Sequence, residues 1–86
     1  MFKTYIFREE RVGKDTFYFE YETNLPFAPQ IGINLTIDGE ICEIDSIDYD
    51  TDGNFFSINL KRTSLEEKYF AECKKNWLEC GWKEHK

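Results

Sequence analysis

Residues 33–49 read INLTIDGEICEIDSIDY, and this stretch decides the fold class. Ile33, Leu35 and Ile37 alternate with Asn34, Thr36 and Asp38, the period-two pattern of a strand with one buried face. Asp38-Gly39 then marks a short hairpin turn, because glycine tolerates the positive φ that such a turn needs. Residues 40–49 return as the partner strand, with apolar positions at Ile41, Ile44, Ile47 and Tyr49. Ile41 and Ile44 are three apart, which breaks alternation and predicts a β-bulge near Cys42–Glu43 or near Asp45–Ser46. Asp38-Gly39 before the segment and Asp52-Gly53 after it favour a strand over a helix.

Working outward, DTDGN at 50–54 is a turn. Residues 55–61 form a strand with Phe56, Ile58 and Leu60 inward and Phe55, Ser57 and Asn59 outward. Ser64 and Glu67 fit a capping box. It opens a helix over 65–80, stopped by Gly81 at the usual C′ position. Leu65, Tyr69, Phe70, Cys73, Trp77 and Cys80 share one helical face, with charged residues opposite. Toward the N-terminus, residues 2–11 and 16–23 form a hairpin, with Phe17, Phe19 and Tyr21 on one face and Thr16, Tyr18, Glu20 and Glu22 on the other. NLPFAPQIG at 24–32 is irregular, since two prolines cannot sit inside a central strand. Leu25, Phe27 and Ile31 are expected to pack it over one end of the sheet. The order is β-β-loop-β-β-β-α in a single domain over 1–86. It predicts an α+β fold: a small five-stranded antiparallel barrel or bent sheet with a C-terminal amphipathic helix. PQIGINLTIDGEICEI at 29–44 resembles the opening hairpin of SH3-like barrels. That resemblance implies an SH3-like architecture, used elsewhere for peptide binding, nucleic-acid binding and phage structural parts.

The charge is uneven. The 86 residues carry a net −6. Residues 38–60 hold seven acids and no base, while 61–86 hold seven bases and five acids. Such a field repels phosphate backbones and attracts basic surfaces. No apolar run is long enough for a transmembrane helix, and MFKTYIFREER at the N-terminus does not read as a secretory leader. Three cysteines, an odd count, suit a reducing, cytoplasmic setting. Cys42, Cys73 and Cys80 are expected as small buried hydrophobes. Cys73 and Cys80 stand about 10.5 Å apart along a helix, too far for a disulfide.

Little catalytic chemistry is legible. The one histidine, His85, lies past the helix stop in a tail that is not expected to be held in place, which argues against a Ser-His-acid or Cys-His relay. The cysteine spacing lacks the close ligand pairs of structural zinc. Asp48, Asp50, Asp52 and Gly53 match the first half of an EF-hand loop, but the twelfth position is Asn59 instead of a bidentate glutamate. Turn chemistry explains the same letters. The chain is therefore expected to be no enzyme and to carry no metal and no cofactor. Too many aromatics occur on both strand faces for all to be buried. Tyr18 and Phe55, with Glu43, Asp45, Asp48, Asp50 and Asp52, are the expected partner-binding residues of a protein-binding module or inhibitor facing a basic partner, such as a nucleic-acid enzyme. In size and charge the chain resembles phage- or plasmid-borne inhibitors, anti-CRISPR proteins among them. Two alternatives stand beside it. One is a structural or assembly protein that forms homo-oligomers. The other is a nucleic-acid-binding barrel stacking bases on Phe7, Tyr18 and Phe55 beside Lys61, Arg62, Lys74 and Lys75, which the acidic segment disfavours.

Overall fold

A computed structural model describes residues 1–85. The elements are β1 (Phe2–Val12), β2 (Asp15–Leu25), β3 (Asn34–Ile37), β4 (Glu40–Asp50), β5 (Phe55–Leu60), β6 (Thr63–Ser64), α1 (Glu67–Glu79) and β7 (Lys83–His85). The fold is α+β, one sheet with one helix. The sheet order is β3-β4-β5-β1-β2-β7, with β6 also on β1. Asp38 (φ 50°) and Gly39 (φ 84°) both take positive φ at the β3–β4 turn, as a two-residue primed turn demands.

The sheet departs from an all-antiparallel barrel in two ways. First, β1 and β5 pair in parallel, Thr4 with Phe56 through Phe7 with Asn59. β6 continues in the direction of β5 and also pairs in parallel with β1, Glu10 with Thr63 and Arg11 with Ser64. Second, the sheet does not close. It bends until β2 and β3 share a cleft of about 170 Å³ lined by Ile6, Tyr21, Leu25, Leu35 and Ile37, but no ladder joins them.

The β4 bulge lies between Ile44 and Ser46, the second of the two expected places. It puts Cys42, Ile44 and Ile47 on one face. Ile41, expected to face inward, is 69% exposed, and Cys42 is buried instead. The core is Ile6, Phe19, Leu35, Cys42, Ile44, Ile58, Leu60 and Trp82. Fully burying one such large side chain contributes about 1.5–3 kcal/mol.

The helix begins later than expected. Glu66 occupies the N-cap without a side-chain bond, and Ser64 lies in β6, where the Leu65 N–H donates to the Arg11 carbonyl at 3.0 Å. Pairing with β1 keeps these residues extended, so no capping box forms. At the other end Gly81 (φ 107°) closes a Schellman turn, with Trp82 N–H on Trp77 O (2.9 Å) and Gly81 N–H on Leu78 O (3.4 Å). The turn drives Trp82 into the core and starts β7, which pairs with β2 through Tyr18–His85, Phe19–Glu84 and Glu20–Lys83. The tail expected to be loose is thus part of the sheet. α1 buries no residue completely. Phe70 packs on Phe17 (4.4 Å between centroids) and Trp77 on Phe19 (5.2 Å). Of the three thiols only Cys42 is buried; Cys73 is half-buried and Cys80 exposed. The 24–32 segment is also less anchored than expected: Phe27 is 41% and Ile31 62% exposed, and only Pro29 between Pro26 and Gly32 is buried. Among the described residues no helix is long and apolar enough to cross a membrane.

Candidate functional site

Strand alternation gives the sheet two faces of different character. α1 packs on the face carrying Ile6, Phe19 and Ile58. The other face carries Tyr5, Phe7 and Glu9 from β1 and, by register, Tyr18 and Glu20 from β2, Phe55, Ser57 and Asn59 from β5, and Ser46, Asp48 and Asp50 from β4. At one end of this face lies a groove of about 380 Å³ lined by Phe7, Tyr18, Ser46, Asn59 and His85, with Asp45 and the Glu9–Arg62 ion pair at its rim. Tyr18 is 50% exposed. The His85 ring sits 6.4 Å from Phe7 between centroids, and its Nε2 is 3.4 Å from a Glu20 oxygen.

The residues expected from sequence do not form one cluster. Tyr18 and Asp45 meet at the groove. Phe55 stands level with Lys3 and Tyr18 with Glu9, a separation of about 20 Å at about 3.3 Å per residue. Phe55 is half-buried, packed edge-on against Tyr5 with centroids 5.0 Å apart. Asp48, Asp50 and Asp52 lie with it at the far end. Asp50 Oδ1 accepts the backbone N–H groups of Asp52 and Gly53, each at 2.9 Å, which is turn geometry. Glu43 pairs with Lys61 at 3.0 Å and holds the Lys61 ammonium above its ordinary pKa.

Sequence reasoning missed a second constellation, beneath the helix. Arg8 is 4% exposed. Its guanidinium carbon sits 4.6 Å from the ring centres of both Trp77 and Trp82. One terminal nitrogen is 3.0 Å from Glu40 Oε1 and 3.2 Å from Cys42 Sγ, and Nε is 3.7 Å from Glu10 Oε1. Trp77 Nε1–H donates to the same Glu40 oxygen at 3.2 Å. Glu10 is 5% exposed, and burial pushes its carboxyl above the usual range against the opposing hydroxyl of Thr63 and charge of Arg8. Burial likewise pushes the Cys42 thiol up. The signal was present in FKTYIFREERV: Thr4, Ile6, Arg8, Glu10 and Val12 share one parity and are all buried. The two indoles that enclose Arg8 come from residues 77 and 82, so nothing local marks it.

Among the described residues no group of three or more His, Cys, Asp or Glu side chains is arranged to hold a metal ion. Comparison with protein-family models, with characterised proteins and with solved structures gives no match, so the functional reading rests on the chain's own geometry.

Proposed function

We propose that the protein is a non-enzymatic protein-binding module whose helix-free sheet face docks on a basic partner surface. The observation that carries this is a line of aromatic rings, Phe55 and Tyr5 at one end, Phe7 and Tyr18 at the other, flanked along β4 by Asp45, Asp48 and Asp50 with no base in that strand. Large rings supply contact area at low entropic cost, and the acids set the sign of the partner. The same acids repel phosphate, which favours a protein over a nucleic acid. The basic cleft of a nucleic-acid enzyme has the matching charge, and occupying it would inhibit that enzyme. A lysine- and arginine-rich decapeptide serves as the probe. Amide shifts on titration are expected along β4, β5 and the β1 residues Tyr5–Glu9. The triple variant Asp45→Lys, Asp48→Lys, Asp50→Lys should lose them. Shifts confined to α1, or unchanged in the triple variant, overturn the reading.

A second reading, self-association, is favoured by Ile31 (62% exposed) and Ile41 (69%) beside the unpaired outer edge of β3. Light scattering behind a sizing column, at low and high salt, separates the two. A monomer in both supports docking on a foreign partner. A dimer that resists salt supports self-association.

A further inference from the structure

We infer that the gap between β2 and β3 is a strand-addition site. Its occupant is a short extended peptide segment, uncharged and with aliphatic side chains at alternate positions.

The gap has two open edges. β7 covers the outer edge of β2 only at Tyr18–Glu20, and β3 ends the sheet on the other side. Hairpin register fixes which backbone groups are left over. In a two-residue hairpin the residues flanking the turn exchange hydrogen bonds, and such pairs alternate with non-bonded ones along the ladder. In β1–β2 the bonded pairs count from Val12–Asp15, so Glu22 and Asn24 turn their N–H and C=O groups away from β1. In β3–β4 they count from Ile37–Glu40, so Asn34 and Thr36 turn theirs away from β4. Both sets lie on the gap side, and among the described residues none has a backbone partner. Such edges are templates for another strand.

Width and lining set the thickness of the occupant. β2 and β3 share one cleft of about 170 Å³, yet their Cα atoms stand more than 8 Å apart over most of their length. Neighbouring strands lie about 4.8 Å apart, so one interposed strand spans about 9.6 Å. Tyr21, Leu25, Leu35 and Ile37 line the cleft, and of these Tyr21, Leu25 and Ile37 are only half-buried against the core. Aliphatic side chains on alternate residues of an added strand continue that face. A folded second copy reaches the β3 edge only from outside and leaves the β2 edge open.

Charge sets its character. Residues 23–37 form the longest uncharged run in the chain, bounded by Glu22 and Asp38. A basic segment finds no counter-charge along that run, and an acidic one is repelled at both ends. A charged side chain in the cleft would also lose its hydration without compensation. The site lies at the sheet edges, apart from the helix-free face, and does not depend on that face docking a basic partner.

The probe is the blocked peptide acetyl-Thr-Val-Thr-Val-Thr-amide. Its titration should give saturable amide shifts at residues 22–25 and 34–37 and slow hydrogen exchange at Glu22, Asn24, Asn34 and Thr36 about tenfold or more. The same peptide N-methylated at both valines keeps its side chains but loses strand donors, and should bind about tenfold more weakly or worse. Thr36→Pro removes one gap-facing N–H without taking a bond from the β4 ladder, and should weaken binding severalfold. Should Thr36→Pro lose its fold by circular dichroism, the N-methylated peptide decides alone. Equal binding of the N-methylated peptide, shifts confined to Tyr5–Glu9 or to α1, or failure to saturate overturns the inference. A dimer on a sizing column whose β3 amides are protected without peptide also overturns it, by assigning the edge to a second copy. The triple variant Asp45→Lys, Asp48→Lys, Asp50→Lys, which tests the helix-free face, should leave this titration unchanged.

Discussion

The two faces of the sheet each hold an arginine–glutamate contact, and the contrast between them shows how position sets the worth of the same letters. On the helix side Arg8 is 4% exposed, lies between two indoles and faces Glu10 and Glu40. On the open side the Arg62 side chain is 56% exposed and pairs with Glu9 at a groove rim. Glu9 and Glu10 are adjacent in sequence, so a single step of strand alternation sends one carboxylate into the core and the other to solvent. A buried pair carries a large desolvation cost that its partners must offset. An exposed pair is screened and leaves its side chains free to exchange partners. The helix side therefore holds the fold together, and the open side keeps its ion pair at the surface.

The sharpest way to break this contrast is to remove each arginine. Arg8→Ala removes the counter-charge beside buried Glu10 and leaves a void between the indoles. It should lower unfolding stability by about 3–5 kcal/mol in urea titration, enough to unfold a small domain of ordinary stability. The helix terminus that brings the second indole to Arg8 comes next. Gly81 has φ 107° and an added Cβ would sit 3.3 Å from the Tyr21 ring. Gly81→Ala should cost about 1–2 kcal/mol and red-shift the Trp82 emission. Acid sharpens the contrast further. Burial holds the Glu10 carboxyl above the usual carboxylate range in the folded state. Its contribution is then fully present at pH values below that of an ordinary carboxylate and is lost as pH rises through the raised value. Stability near the bottom of that window should exceed stability above it, and Glu10→Gln should flatten that slope in chemical denaturation across pH 4–8. The smallest expected effect is Arg62→Ala, within about 1 kcal/mol of the parent. The same change frees Glu9 and should strengthen binding of the basic decapeptide.

The hairpin at 33–49 was legible because alternation and an Asp-Gly turn agree there, and the strand boundaries fall within a few residues of those read from pattern. Ile41 was misassigned by preferring the more apolar residue over its neighbour. Parity with Ile44 selects Cys42, and the bulge at Asp45–Ser46 restores the later positions. β6 and β7, of two and three residues, are too short for any periodicity, so the tail looked free and Ser64 looked like a helix cap. The open, mixed sheet was not legible, because which strands lie side by side is a long-range property that no local pattern records. Parity and charge pick out Tyr18 and Asp45, which line one groove, while Phe55 is half-buried because its cross-strand neighbour Tyr5 covers part of it. Arg8 was invisible because its partners Trp77 and Trp82 lie some seventy positions away.

The placement of β1 has a consequence for timing. It is synthesised before the other six strands described, and it ends between β2 on one side and β5 and β6 on the other. The β1–β2 hairpin can form early, but its second edge stays unpaired until residues 55–64 have left the ribosome. During that interval Arg8 and Glu10 have neither indole nor Thr63 beside them and stay hydrated. Their burial therefore falls to the closing step of folding, when the last quarter of the chain arrives. Because this step depends on distant pairing, nascent chains should remain sensitive to protease until α1 and β7 have emerged.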